Sequence, residues 1–442
     1  MEIVQRKQKP FCLSMKKMFD SSTFCTLPFT SIQIHPSGNF KVCCFSGHKA
    51  SHAIAIDDNG KPMNIMTHDI GAAVNSKLHK ELRLAMSQNK RHDICGVCWM
   101  RDDAANQSYR LNRNSVFSKY DGITNPSIAE LSMNADGSIA SDNLLALDIR
   151  FGNLCNAKCI HCFPMYSNAW YEDHVKLYGN SSFSIGDGIS YNIYTKDGVF
   201  KSPMSDSKWW ESERWWQQFE SIKDKLKLIY VTGGEPFLVP AHDEMLDRLI
   251  SADLAKNIDL EYDSNLSALN PKILSKLSKF KSASISASFE DIEDRFELIR
   301  YPLKFGKIVE NLKLIEKYGV KVSEISSCLG IYTAFAPTRM MPFFDDLGFS
   351  KLRFRLLRMP ELFDLRHLHP TQKQKIITRY QNSNVGIKNS RLITGYLNNT
   401  MNEWSESKLK DFVKHMNRLD KIRGTDWKSV MPDVVDLVYD YV

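Results

Sequence analysis

Three cysteines, Cys155, Cys159 and Cys162, stand at C-x3-C-x2-C spacing within LDIRFGNLCNAKCIHCFP. Three thiolates on one tight loop can hold three irons of a four-iron cube, and soft thiolates select iron–sulfur clusters or zinc. A three-thiolate set leaves one iron open to chelate a small molecule. Structural zinc usually takes four ligands in pairs, and no fourth cysteine lies near. A zinc site would need His161, which adjoins Cys162 and makes joint chelation awkward. A second set is more spread out. Cys25 is followed by twelve residues, Gly38, four residues and Cys43; CGVC then places Cys95 and Cys98 two apart. Four thiolates suit either a second cluster or a four-cysteine zinc site, and spacing alone does not separate them.

These residues need elements to position them. Residues 144–360 alternate strand and helix patterns. Six strands are expected at 144–151, 227–234, 258–265, 282–289, 320–327 and 351–357. Helical patterns lie between them at 241–254, 270–279, 304–318 and 336–347. Such an array implies parallel βαβ units with right-handed crossovers, curling into a sheet or partial barrel. Chemistry then belongs at the C-terminal ends of the strands, where the three-cysteine loop falls.

Before the array, 1–20 reads as a basic leader, 21–115 as a cysteine-rich unit and 116–143 as a Ser/Asn/Asp/Gly linker. In SIQIHPSGNFKVCCF the PSGN turn joins two alternating runs and predicts a β-hairpin. Leu78, Leu82 and Met86 predict a helix over 76–89. The connection 163–226 is oversized and carries Trp170, Trp209, Trp210, Trp215 and Trp216. Long connections often act as lids, while the tryptophan pairs read as the buried face of a helix. Residues 361–442 turn helical, at 370–381, 404–420 and 431–441.

The loop and the strand array together resemble the radical S-adenosylmethionine (SAM) superfamily over 144–360. The resemblance implies an α/β fold, a partial (β/α)6 TIM-like barrel, with Cys155, Cys159 and Cys162 holding a [4Fe–4S] cluster. The open iron would bind the amine and carboxylate of SAM, which is cleaved to methionine and a 5′-deoxyadenosyl radical that abstracts hydrogen from a substrate. Gly233, Gly234 and Glu235 of TGGEPF resemble the family's GGEP segment, with Glu235 able to accept from a cationic amine. Asn265 of DSNLS, Ser286 of ISASFED and Arg300 of ELIRYP resemble further SAM-facing positions. Here Ser288 and Phe289 stand where the family pattern has Asp-Gly. His161 occupies a position often held by an aromatic near the adenine.

The N-terminal cysteines resemble the twitch domain, a shortened SPASM domain holding an auxiliary [4Fe–4S] cluster, placed here before the barrel. That resemblance implies Cys25, Cys43, Cys95 and Cys98 as its ligands. Cys44 adjoins Cys43, but Cys43 completes the G-x4-C spacing. The auxiliary cluster would relay an electron or staple a small domain. Relatives commonly modify peptides or proteins and some act on small metabolites, so a peptide, protein or small-molecule substrate is expected, with an electron donor such as flavodoxin or ferredoxin. Cys328, at the end of the fifth strand, could donate a hydrogen atom or simply fill core. Segment 358–368 could line the substrate cavity, and Cys12 is incidental.

Composition fits this reading. The chain has 442 residues, 43% hydrophobic and 25% charged, which argues against disorder. No run of about 18 apolar residues predicts a membrane span. The N-terminus lacks an apolar stretch after its cations, so the expected compartment is the cytoplasm. Net charge is +7, a mild excess that permits a nucleic-acid partner without demanding one. Two other readings therefore stand beside the first. One is a zinc-stabilised interaction protein without catalysis. The other is a radical SAM enzyme acting on nucleic acid.

Overall fold

A computed structural model describes residues 22–47, 53–103, 108–120, 133–140, 143–184, 190–383 and 385–441. The basic leader with Cys12, and 121–132 and 141–142 of the expected linker, lie outside the described residues.

Eight strands form one sheet. From the N-terminal region come β1 (Ser31–Ile34) and β2 (Phe40–Lys41). From the βα array come β3 (Ala146–Ile149), β4 (Leu228–Val231), β5 (Asp259–Ser264), β6 (Ser282–Ser288), β7 (Lys321–Leu329) and β8 (Leu352–Leu356). Their spatial order is β8-β7-β6-β5-β4-β3-β1-β2. β3 to β8 are parallel and sequential, as repeated right-handed crossovers dictate. The fold is α/β, a partial (β/α)6 barrel with an N-terminal cysteine-rich hairpin–helix unit and a helical C-terminal region. β1 and β2 form the expected antiparallel hairpin. The hairpin does not stand apart: β1 continues the main sheet, parallel to β3.

The two faces of the sheet differ in chemistry because side chains alternate along a strand. Leu147, Ile149, Ile229, Val231, Leu260 and Ile285 are buried beneath the crossover helices. Burial contributes about 1.5–3 kcal/mol for each such side chain. The other face carries Gln33, Asp148, Tyr230, Asp263, Ser286 and Glu324 in neighbouring register. A register shift between Ile285 and Ser286 brings Glu324 opposite Ser286 and onto this face. Parallel sheets are usually apolar on both faces. A polar inner face marks a lumen that handles polar ligands.

The 163–226 connection contains the helix Trp170–Tyr178, two short hairpins and the helix Glu213–Ile222. Trp209 and Trp215 are fully buried, Trp210 nearly so, and Trp209 Nε1 donates to the Pro36 carbonyl at 3.0 Å. The tryptophans thus weld the connection onto the N-terminal hairpin. Gly152, at φ +67, is needed there, because a Cβ would lie 2.2 Å from the Trp210 ring.

The C-terminal helices pack back onto the barrel. Arg423 pairs with Asp173 at 2.9 Å and stacks over Trp170. Arg339 bridges Asp291 and Asp433. Among the described residues no helix is long and apolar enough to cross a membrane.

Candidate functional site

The three-cysteine loop leaves the C-terminal end of β3 and is clamped from several sides. The Cys155 amide donates to Asn168 Oδ1 at 3.0 Å, and Trp170 Nε1 donates to the Cys159 carbonyl at 3.0 Å. Ser167 Oγ donates to the Ala157 carbonyl at 2.7 Å. The Lys158 and Ile160 amides donate to the Tyr301 and Ile299 carbonyls. Lys158 Nζ reaches Asp173 at 2.8 Å, so one buried carboxylate links the loop to Arg423 of the C-terminal helices. These clamps use the backbone and non-cysteine side chains; the thiols themselves make only long contacts, among them the Ala157 amide to Cys155 Sγ at 3.5 Å and Cys162 Sγ to the Phe163 carbonyl at 3.8 Å.

The glycine turn after β4 closes on this loop. A Cβ on Gly234, at φ +53, would lie 2.2 Å from the Leu154 carbonyl, and one on Gly233 2.8 Å from Arg150 Cβ. The Glu235 amide donates to the Leu154 carbonyl at 2.8 Å. The fully buried Glu235 carboxylate accepts from the Ser264 hydroxyl at 2.8 Å, the Asn265 amide at 2.7 Å and the Phe237 amide at 3.3 Å. Burial pushes its pKa up to about 7 in spite of these donors. Asn265 Nδ2 approaches Cys155 Sγ at 3.8 Å. The turn, β5 and the cysteine loop are therefore one unit.

On the other side of the loop, His161 Nδ1 is 2.8 Å from the Tyr332 hydroxyl, and the rings stack at 5°. Glu290 holds Arg300, which bonds it through both Nε and Nη2. His161, Glu290 and Cys328 bring ligand atoms within 4.8 Å of one another. Arg300 neutralises Glu290, so this trio offers a cation little charge. Its place is at the lumen mouth. Ser286 Oγ is buried on the lumen face without a partner, an orphan that a polar ligand would satisfy.

The N-terminal thiols converge as well. Cys25, Cys43, Cys95 and Cys98 line one pocket, beside Arg110. Cys44 turns away toward Tyr109 and Asp148. Burial pushes the Cys25, Cys43 and Cys155 thiols up to about 12, and neighbouring thiols add to the effect. Grouped thiols in a dry pocket become thiolates only with a cation to neutralise them. Four sulfurs on one zinc, at about 2.3 Å each, would stand roughly 3.8 Å apart. Among the described residues, neither thiol set brings three sulfurs within 4.8 Å.

Sequence reasoning missed Asn168, Trp170, Glu290 and Tyr332. Asn168 and Trp170 follow the last cysteine closely, and their proximity to a ligand loop was the available signal. Glu290 and Tyr332 join the site only through the barrel closure.

A Radical SAM superfamily profile matches residues 149–334. No curated protein sequence matches the chain. Solved structures align at low similarity. The anSMEcpe structure with bound AdoMet shows 18% identity and a TM-score of 0.35, covering 53% of this chain and 59% of that one. Streptococcus suis SuiB bound to precursor peptide SuiA shows 13% identity and a TM-score of 0.33, covering 63% and 62%. The chain thus spans about three-fifths of the length of these structures. With the thiol loop at the end of the first barrel strand, residues 149–334 are a radical SAM domain.

Proposed function

We propose that the chain reductively cleaves SAM at a [4Fe–4S] cluster on Cys155, Cys159 and Cys162, and carries an auxiliary [4Fe–4S] cluster on Cys25, Cys43, Cys95 and Cys98. The substrate class we infer is a peptide or protein. When bound, the first cluster supplies the electron that converts SAM to methionine and a 5′-deoxyadenosyl radical. The chain's own residues hold and shelter that chemistry. Gly233 and Gly234 let backbone approach the ligand closely, and Asn265 and Ser286 offer polar contacts on the lumen side. Glu235 anchors the turn through Ser264 and Asn265. Arg300, paired with Glu290, and His161, stacked on Tyr332, form the opposite wall.

The observation that carries the proposal is the contrast in thiol number: three on a clamped loop at a strand end, four around a second cavity. Cys43 lines both that cavity and the space holding Asp148 and Tyr230 on the lumen face. This adjacency supports an electron relay toward the lumen. The peptide reading is supported by the SPASM-like arrangement of the N-terminal cysteines.

Anaerobic reconstitution tests it. The protein should turn brown, bind about eight irons and release 5′-deoxyadenosine from SAM under a strong reductant. Colourless protein carrying zinc and making no 5′-deoxyadenosine would refute it.

A further inference from the structure

The barrel is open between its two sheet edges, β8 and β2. On β8, Arg353 and Arg355 project onto the lumen face, and Arg355 lies in register with Cys328. Beyond the strand, Arg358 is exposed and its Nη1 lies 3.9 Å from Met100 Sδ on the N-terminal helix Gly96–Asp103. The next residue of that helix is Arg101, whose guanidinium sits over Phe45 at 5.6 Å. Two segments distant in sequence therefore place four arginines around one opening. Burial, with Arg355, Arg353 and Arg358 adding, holds the Arg101 pKa below its ordinary value.

Compensation is scant. Glu324 serves Lys351, Arg353 and Arg355 together, at 3.8, 2.9 and 3.3 Å. Among the described residues, Arg101 and Arg358 have no carboxylate partner; they rest on Phe45, Met100 and Tyr396 instead. Lys351, Arg353 and Arg355 thus share Glu324, with Asp263 adding to the field at Arg355, while Arg101 and Arg358 stand outside these pairs. Like charges crowded at a cleft destabilise the fold unless an anion joins them, and such a cleft concentrates anions from solution. Guanidinium groups bind carboxylates through two parallel hydrogen bonds.

We infer that this opening binds an acidic stretch of a peptide substrate, with Arg101 and Arg358 receiving its carboxylates and Arg355 guiding it inward. The inference rests on the peptide reading above and narrows it. The path leads to chemistry: Arg355 adjoins Cys328, and Cys328 lies within 4.8 Å of His161 and Glu290, next to the cluster loop. A nucleic acid fits less well. A phosphate backbone tracks a continuous basic groove with free aromatic platforms. Here Glu324 interrupts the arginines, Asp263 and Asp148 line the same lumen, and Phe45 stacks on Tyr109.

Fluorescence anisotropy with the full chain tests this. The probes are a short labelled peptide bearing several Asp and Glu residues, its Asn/Gln twin, and a single-stranded oligonucleotide of equal charge. At low salt the acidic peptide should bind roughly tenfold or more tightly than its twin, weakening as salt rises. The double substitution Arg101→Gln with Arg358→Gln should weaken it by about tenfold, while Arg248→Gln, on the helix layer across the sheet, should not. Protection of Arg101 and Arg358 from hydroxyphenylglyoxal by the peptide, mapped in the unsubstituted protein, gives the same answer should the double variant misfold. Equal binding of the twin, tighter binding of the oligonucleotide, or absence of protection overturns the inference. None of these readouts needs radical chemistry. Release of 5′-deoxyadenosine by the unsubstituted protein, measured on the same preparation, decides the SAM reading separately.

Discussion

The two thiol sites are built in opposite ways. The three-thiol loop is contiguous, eight residues from Cys155 to Cys162, and the fold grips it by backbone amides, by Asn168 and by Trp170. The four-thiol site gathers a hairpin and a helix over 50 residues apart in sequence, around a cavity of its own. The loop would keep its geometry without metal, because Asp173, Asn168 and the Gly233–Gly234 turn hold it. The four-thiol site is held by contacts between its separate segments instead, among them Arg110 and Asn114 to the Phe24 carbonyl and the Gly47 amide to the Ile94 carbonyl. Preorganisation with an open position suits a site that binds and releases a small molecule. Full ligation by the chain suits a site that passes electrons or fastens a small unit.

The largest test of this contrast is Cys159→Ala. It should cut 5′-deoxyadenosine formation by at least about a thousandfold while the N-terminal site keeps its iron. Iron analysis with chromatographic detection of the nucleoside checks both halves. Next comes Gly234→Ala. Its new Cβ would meet the Leu154 carbonyl, one residue before Cys155, so the loop must shift. Loss of most iron from the first site is expected, at a stability cost of about 2–4 kcal/mol. Cys98→Ala should do the reverse, removing about half of the iron and melting the N-terminal region first. Hydrogen exchange should report that loss in Gly96–Asp103 and leave β3 to β8 protected. Retention of iron at both sites would show that Cys98 is not a ligand.

A smaller effect concerns Glu235. A carboxyl whose pKa rises on folding binds more protons folded than unfolded. Its contribution is fully present below the ordinary value of 4.5 and is lost as pH rises to about 7. Before SAM is added, stability should therefore fall across that window, by up to about 3 kcal/mol. Glu235→Gln should flatten this slope, because its oxygen still accepts from the Asn265 amide without taking charge. Denaturant titrations at several pH values measure it; an unchanged slope would contradict the burial argument.

Much of this was legible from local pattern. The strand at 258–265, expected from IDLEYDSN, appears as Asp259–Ser264, and the helix at 304–318 as Phe305–Lys317. The same alternation that marks strands also separates Leu260 and Tyr262, beneath helices, from Glu261 and Asp263 on the lumen face. What stayed hidden depends on contacts distant in sequence. No local pattern tells β1 to pair with β3, over a hundred residues later. The helix Trp170–Tyr178 was not anticipated because its buried face is defined by Arg423 and Phe183, outside the segment. At the site, cysteine spacing and TGGEPF were visible. The Glu290–Arg300 pair was not, since a carboxylate in a helix-entry loop looks solvated until the barrel closes around it. The arginine opening was equally invisible, because Arg101 and Arg358 meet only in three dimensions.

The central claim is that the Cys155–Cys159–Cys162 site leaves one iron free for SAM. Cys98→Ala protein, reduced so that the remaining cluster alone is paramagnetic, isolates it. Electron–nuclear double resonance with SAM labelled at its amine nitrogen and carboxylate should show both nuclei coupled to the cluster. A spectrum unchanged by SAM, with the fourth iron already held by a side chain of the protein, would contradict the account.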